Sequence, residues 1–310
     1  MISAIAGGVG AARFLRGLVR AVPAPEVTAV VNTGDDLVLH GLHISPDIDT
    51  VLYTLAGRND DERGWGLQDE TWRVMEALER LGGESWFRLG DLDIATHLYR
   101  TQRLAEGATL SAVTAELAAA DAVGLRVLPM SDDPVRTRVA LRDGPEVAFQ
   151  EYFVRRHHDV PVAAVRFDGA DTAAPAPGVL AALADADVVV VCPSNPLVSI
   201  APVLAVPGVE AALAARRDRV VAVSPIVAGA AIKGPADRML AELGHEASVV
   251  GVATLYAPFA ATLVVDEADA ALVGEVEAAG MRCVVAPTVM HTVADAAALA
   301  RVVLGAPVAS

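Results

Sequence analysis

The sequence predicts an α/β protein: a Rossmann-like, mainly parallel sheet with helices on both faces and a helical insertion capping the ligand edge. Three observations predict it. Short Val-rich apolar runs recur along the chain, stretches with apolar positions near a 3.6-residue period separate them, and one long middle stretch carries the helical pattern alone.

In chain order, "ISAIAG" reads as a buried strand, "AARFLRGLVRAV" as a helix and "EVTAVVN" as a second strand, a β-α-β opening. Later runs, "VAAVRF", "DVVVVCP", "RVVAVSP", "SVVGVAT", "ATLVVDE" and "RCVVAPT", read as further buried strands. Helical stretches such as "GVLAALADA", "GVEAALAARR", "ADRMLAELG", "ALVGEVEAAG" and "TVADAAALARVVL" lie between or after them. From Asp47 to about residue 122 the pattern is helix after helix, with all three tryptophans (Trp65, Trp72, Trp86) inside it. After it, "RVLPMSDDPVRTRVAL" and "EVAFQEYFVRR" read as shorter strands returning to the sheet. No low-complexity linker interrupts the chain, so residues 1–310 are expected to form one domain with an insertion over about 47–122.

Composition narrows the function classes. The 310 residues are 54% apolar, ample for a core; the uncharged runs long enough to reach the roughly 18 residues of a membrane span, 188–209 and 247–265, are interrupted by Pro, Ser, Asn, Gly or Thr, so no transmembrane helix is expected. The start, "MISAIAGG", has neither a basic leader nor a cleavage site after an apolar run, so a cytoplasmic protein is expected. Cys192 and Cys283 each sit in an apolar run and read as inert thiols. A formal charge of -15 argues against a nucleic-acid surface. It also repels phosphorylated metabolites, so a phosphate-bearing substrate needs positive charge from backbone amides, a few Arg/Lys, or a divalent cation.

Candidate chemistry gathers at strand ends. "AGGVGAARFL" places Gly8 and Gly10 where the first strand meets the first helix, as an anion-receiving helix start or simply a tight turn. Its spacing departs from the dinucleotide fingerprint, which counts against a dehydrogenase, and no Walker A sequence is present. "VVNTGDD" ends the second strand with Asp35 and Asp36, which could converge on one cation or divide between metal and substrate hydroxyl; a solvated turn is the bland alternative. Asp47 and Asp49 follow at a helix start. Two positions apart on a helix is about 200° of rotation, so they should not face one ligand; one reads as functional and the other, more readily Asp47, as a helix cap. Trp86 and Arg88, near Trp65 and Trp72, could pack a planar ring, with core packing the default. "MSDDPVRT", with Arg136 and Thr137, reads as a β-turn. "CPSNPLVSI" puts Ser194 and Asn195 after the most apolar strand, and "VSPIVAGAAIKGPADRM" carries Lys233, the sole lysine.

Taken in order, "GGVGAARFL", "VVNTGDD", "PDIDTVLYTLAG", "RGWGLQDETW", "WFRLGDLDIATHLYRT", "PSNPLVSI" and "SPIVAGAAIKGPADRM" resemble the 2-phospho-L-lactate transferase family of deazaflavin coenzyme F-420 biosynthesis, from residue 7 to about residue 240. The resemblance is closest to its actinobacterial branch. It implies transfer of a phosphoenolpyruvyl or 2-phospho-L-lactyl group from a guanosine-diphosphate-linked donor to the ribityl hydroxyl of the deazaflavin FO, with release of GMP, Mg²⁺ as cofactor and a homodimer as the working unit. It puts Asp49 and Arg88, with Trp86 beside them, on the acceptor. It puts Asp35 and Asp36 beside the metal and the reacting hydroxyl, and the glycine loop with Ser194, Asn195 and Lys233 around the donor. Ala11 and Ala228 stand where relatives often have glycine. The alternative is a non-enzymatic nucleotide-sugar-binding regulator of the gluconeogenesis-factor-like type, for which the acceptor-side segments have no evident role.

Overall fold

The structure is a computed structural model that describes residues 1–307. At its centre is a seven-stranded sheet made of β1 (Ile2–Ala6), β2 (Val27–Val31), β5 (Arg126–Pro129), β9 (Val188–Val191), β10 (Val220–Val223), β13 (Thr262–Val265) and β14 (Arg282–Val285). The order across the sheet is β14-β13-β10-β9-β1-β2-β5, every neighbouring pair parallel. The predicted fold class is borne out.

Side chains alternate along each strand and feed two cores. Ile5, Val30, Val189 and Val191 pack on one face of the sheet, and Ala4, Ala29, Val188 and Val190 on the other. A sheet buried on both faces favours apolar residues at nearly every position, which is why β9 and β10 read as unbroken runs and β1 and β2 are broken only by Ser3 and Thr28. Helix α1 (Gly8–Ala21) and α12 (Val293–Leu304) pack together on one face, joined by α2 (Pro46–Leu55). The other face carries α6 (Val179–Asp185), α7 (Ala201–Leu204), α8 (Val209–Ala214), α9 (Ala236–Glu242), α10 (Val249–Tyr256) and α11 (Val273–Ala278).

The insertion between β2 and β5 holds α2, α3 (Arg73–Arg80), α4 (Asp91–Ala105) and α5 (Leu110–Ala120). Ahead of the predicted helical stretch it also holds a hairpin, β3 (Leu37–Leu39) and β4 (Leu42–Ile44), turned by His40 and Gly41, to which the sequence reading assigned no element. Both turn residues have positive φ (54° and 75°), the requirement of a two-residue type I′ turn.

Three sequence expectations need correction. "VAAVRF" belongs to β8 (Val162–Asp168), which with β6 (Arg136–Leu141) and β7 (Glu146–Ala148) forms a separate antiparallel sheet of order β7-β6-β8; among these segments only "RVLP" rejoins the main sheet. The rest of "EVAFQEYFVRR" is a single π-helical turn, Glu151–Arg155. "SVVGVAT" is not a strand but the start of α10. Ser248 accepts hydrogen bonds from the Val250 and Gly251 amides, an N-cap that starts a helix, and α10 is buried on enough sides to lose the amphipathic signature.

A small hairpin, β11 (Ile226–Val227) with β12 (Ala230–Ala231), turns through Ala228 and Gly229, φ 50° and 76°. Ala228 is thus held in the left-handed region, where a Cβ costs about 1 kcal/mol. Its amide donates to both carboxylate oxygens of Asp269, at 3.2 and 3.0 Å, which holds it there. Ala228→Gly is expected to leave stability unchanged or raise it by up to about 1 kcal/mol, read by denaturant melts; a loss of more than that would contradict the strain.

Candidate functional site

The carboxyl ends of β1, β2, β9 and β10 meet at the middle of the sheet, where the chain departs from β1 toward β2 on one side and β9 on the other. That is the switch point at which open α/β sheets bind ligands. The sequence places a Gly loop, an acidic turn and the Pro-Ser-Asn-Pro segment there.

Glycine at this edge answers first to the chain's own packing. Gly8 has φ 70°, which turns β1 into α1. A Cβ on Gly10 would stand 2.2 Å from the Pro193 carbonyl oxygen, and one on Gly7 would stand 2.8 Å from Ser199 Cβ and 2.9 Å from Asp47 Oδ2. Ser194 Oγ donates to the Gly7 carbonyl at 2.8 Å, so the two loops are stitched together. Asn195 spends its side-chain oxygen on the Leu197 amide, 2.9 Å away, as a cap.

Next to the Gly loop, the turn after β2 buries Asp35 and Asp36, with Asp47 reaching in from α2. Asn32 organises them. Its side-chain NH₂ donates to Asp35 Oδ1 (3.2 Å) and Asp47 Oδ2 (2.9 Å), while its oxygen accepts from the Gly34 amide at 2.8 Å. Asp36 Oδ2 accepts from Ser45 Oγ at 2.9 Å; its Oδ1 is buried with no partner. Burial, then repulsion from Asp47, holds the Asp35 carboxyl well above the usual carboxylate range. Burial likewise pushes Asp36 up to about 7, against the pull of the nearby Arg136, and Asp47 up to about 6, against its bonds from Asn32 and Gly8. Asp35, Asp36 and Asp47 are thus three neighbouring buried carboxyls whose ionised forms burial disfavours.

Asp47 does not cap its helix. Its carboxylate accepts from Asn32 and from the Gly8 amide, which puts it in the site. Asp49 points elsewhere, as the helical rotation requires. Both its oxygens accept from the Arg100 guanidinium, one of these bonds at 3.1 Å, and the Asp49 residue is 4% exposed. His97 Nδ1 lies 3.7 Å from Asp49, His97 Nε2 lies 3.3 Å from Asp93, and Tyr53 donates to Asp93 at 2.7 Å. Ligand atoms of Asp49, Asp93 and His97 all lie within 4.8 Å of one another, a spacing a metal could use. Arg100 already supplies the positive charge there, so the cluster is an internal ion-pair network rather than a metal centre.

The remaining candidates stand on the insertion or cross to it. Arg88 is exposed, its guanidinium 5.0 Å from the centre of the Trp72 ring, and Trp72 meets Trp65 edge-on at 5.9 Å. Trp86 packs instead against Phe87 and the β3–β4 hairpin cluster. Lys233 reaches across from the loop after β12 to donate to the Gly64 carbonyl at 3.4 Å; burial, then the nearby Arg13, lowers its pKa. The structure therefore brings Asp35, Asp36, Gly8, Gly10 and Ser194 to one sheet edge and sets Asp49, Arg88 and Trp86 on the insertion. Sequence reasoning missed the roles of Asn32, Asp47 and Arg100. For Arg100 a signal exists: Asp93, His97 and Arg100 share one face of α4 at spacings of four and three.

A family model described as 2-phospho-L-lactate transferase CofD matches residues 2–296. The chain belongs to that family. Among curated relatives, a phosphoenolpyruvate transferase of Kitasatospora aureofaciens is 50% identical over 309 residues, covering 98% of this chain and 96% of the relative. One of Mycobacterium ulcerans is 44% identical over 282 residues, covering 86% of each. Among solved structures, a UPF0052-family protein of Bacillus halodurans superposes with a TM-score of 0.64 at 18% identity, covering 98% of each chain; this likeness supports the fold. As a CofD-family protein the chain is a transferase of the phosphoenolpyruvate/2-phospho-L-lactate type. Among the described residues no helix is long and apolar enough to cross a membrane.

Proposed function

We propose that this CofD-family chain transfers a phosphoenolpyruvyl group, or the closely similar 2-phospho-L-lactyl group, from a guanosine-diphosphate-linked donor to the ribityl hydroxyl of FO in coenzyme F-420 biosynthesis. An O–P bond forms to the hydroxyl, the anhydride P–O bond breaks, and GMP leaves. The observation that carries the reading is the set of buried, under-neutralised carboxylates at the strand ends of a chain of this family. The names of the actinobacterial relatives favour the phosphoenolpyruvyl donor.

Mg²⁺ suits this donor set of hard carboxylate oxygens, one of them buried and unpartnered; bound there it would neutralise the diphosphate. Asp35 and Asp36 would hold it. Whichever of the two is not engaged by the metal would orient the attacking hydroxyl or accept its proton. The Gly8–Gly10 loop, Ser194, Asn195 and Lys233 would take the donor, the first through backbone amides at the start of α1. Arg88 and Trp86 would hold the deazaflavin, and Asp49 would reach it by sharing the carboxylate that Arg100 orients. A homodimer in the cytoplasm is the expected working state.

The reading is tested by incubating the purified chain with FO, Mg²⁺ and each guanylated donor and following product mass. Product with the phosphoenolpyruvyl donor is expected; none with any donor would favour a regulator. Arg88→Ala is expected to weaken FO binding about tenfold, the worth of one stacking or charge-assisted contact, measured by deazaflavin fluorescence. An unchanged dissociation constant would remove Arg88 from the acceptor site.

A further inference from the structure

Three oxygen atoms around the acidic turn are buried and have no hydrogen-bond partner: Thr33 Oγ1, Asp36 Oδ1 and Thr137 Oγ1. Thr33 and Thr137 are each 1% exposed. Thr137 comes from β6, far along the chain, and its amide donates to the Gly34 carbonyl at 2.7 Å, which pins β6 against the turn. A Cβ on Gly34 would stand 2.5 Å from Thr137 Oγ1, so the hydroxyl lies directly on the turn's backbone and glycine is what admits it. The neighbouring groups are already committed: the Gly34 amide to Asn32, the Gly34 carbonyl to the Thr137 amide, Asp36 Oδ2 to Ser45. Among the described residues none is a hydrogen-bond partner of these three oxygens.

A buried hydroxyl without a partner is destabilising, and valine in its place would remove that cost at nearly the same volume. Thr33 and Asp36 flank Gly34 in the turn and Thr137 is pinned against it, so three hard oxygen donors that the fold itself does not use belong to the turn and the strand that covers it. We infer that Thr137 is a binding residue of the transfer site, its hydroxyl completing with Thr33 and Asp36 the oxygen shell that receives the metal-bound diphosphate of the donor. The inference rests on the proposed function and adds to it a residue from outside the main sheet. It also gives the antiparallel sheet a purpose, since β6 is the strand that delivers the hydroxyl.

The test uses Mg²⁺ with GDP as the probe, titrated calorimetrically into the intact chain, together with thermal melts in the absence of ligand. Thr137→Val is expected to melt at the same temperature or higher and to bind Mg²⁺–GDP about 10- to 100-fold more weakly, the worth of a hydrogen bond to a charged group. Thr137→Ser, which keeps the hydroxyl, is expected to stay within about threefold of the unaltered chain, a margin of well under 1 kcal/mol. Equal binding by Thr137→Val and the unaltered chain would overturn the inference and leave the proposed function standing. No binding by the unaltered chain would overturn both. Should Thr137→Val fail to fold, Thr33→Val carries the same expectations.

Discussion

Asp35→Ala is expected to abolish transfer, lowering turnover by about 10³-fold or more, the scale set by losing several kcal/mol of charge neutralisation in the transition state. The site offers no substitute. Asp47 is turned to Asn32 and the Gly8 amide, Asp49 is bound by Arg100, and Asp36 has only one unengaged oxygen. The measurement is single-turnover product formation at saturating Mg²⁺. Retained turnover would remove Asp35 from the metal and from the reacting hydroxyl. Asp36→Asn is expected to lose activity on a similar scale while behaving differently in a melt, because it deletes a buried negative charge that the folded chain tolerates poorly. A carboxyl that titrates near 7 in the fold and near 4 in the unfolded chain costs up to about 4 kcal/mol once both states are ionised. At pH 8 without metal, Asp36→Asn should therefore be the more stable protein and the poorer enzyme.

The second large effect is in the pH dependence of metal stabilisation. Asp35, Asp36 and Asp47 all have folded-state pKa values raised by burial. Below about pH 3 they are largely protonated in both states. As pH rises toward 7 the unfolded chain has released protons that the folded chain still holds, so their contribution to stability falls with rising pH. A cation held by the ionised carboxylates, as proposed, would reverse this. The rise in melting temperature on adding saturating Mg²⁺ and GDP is expected to be small at pH 5.5 and several degrees larger at pH 8. A chain of this size moves about 2 °C for each kcal/mol. Comparison with Asp36→Asn isolates the site from other carboxylates such as Glu116, whose hydrogen bond from Arg103 lowers its pKa to about 2 and acts in the opposite sense at acid pH. A pH-independent increment would show that the cation does not meet these groups.

Much of the scaffold was legible in the residues. Unbroken Val runs with helices between them specify a parallel sheet covered on both faces, and Gly8 through Gly10, the 32–36 turn and Ser194–Asn195 all fall at its carboxyl edge as their positions after strands imply. Where the reading failed, two structures leave the same local trace. An apolar heptapeptide such as "SVVGVAT" serves as a buried strand or a buried helix, and only the Ser248 cap decides. The His40–Gly41 turn is hidden because histidine seldom signals a positive φ. Inside the site, adjacency in sequence misled. Asp47 and Asp49 were correctly separated by helical rotation, but which one meets the Gly loop depends on Asn32 and Arg100, contacts set by packing between elements. Thr137 was visible only as part of a turn, since its neighbour Gly34 lies about a hundred residues away in the chain.

The order of strands across the sheet also governs how the molecule comes into being. β1 has β2 on one side, formed from nearby chain, and β9 on the other, with Ile2 opposite Val188. The amino group of Met1 pairs with Asp187 at 2.6 Å across 186 positions. Contacts that distant are slow to form, because the entropy of closing so long a loop is spent before the strand pairing returns anything. The Ser194 bond to Gly7 forms at that same step. A refolding chain should hence acquire its insertion helices early and the β1–β9 edge, with the candidate site on it, last.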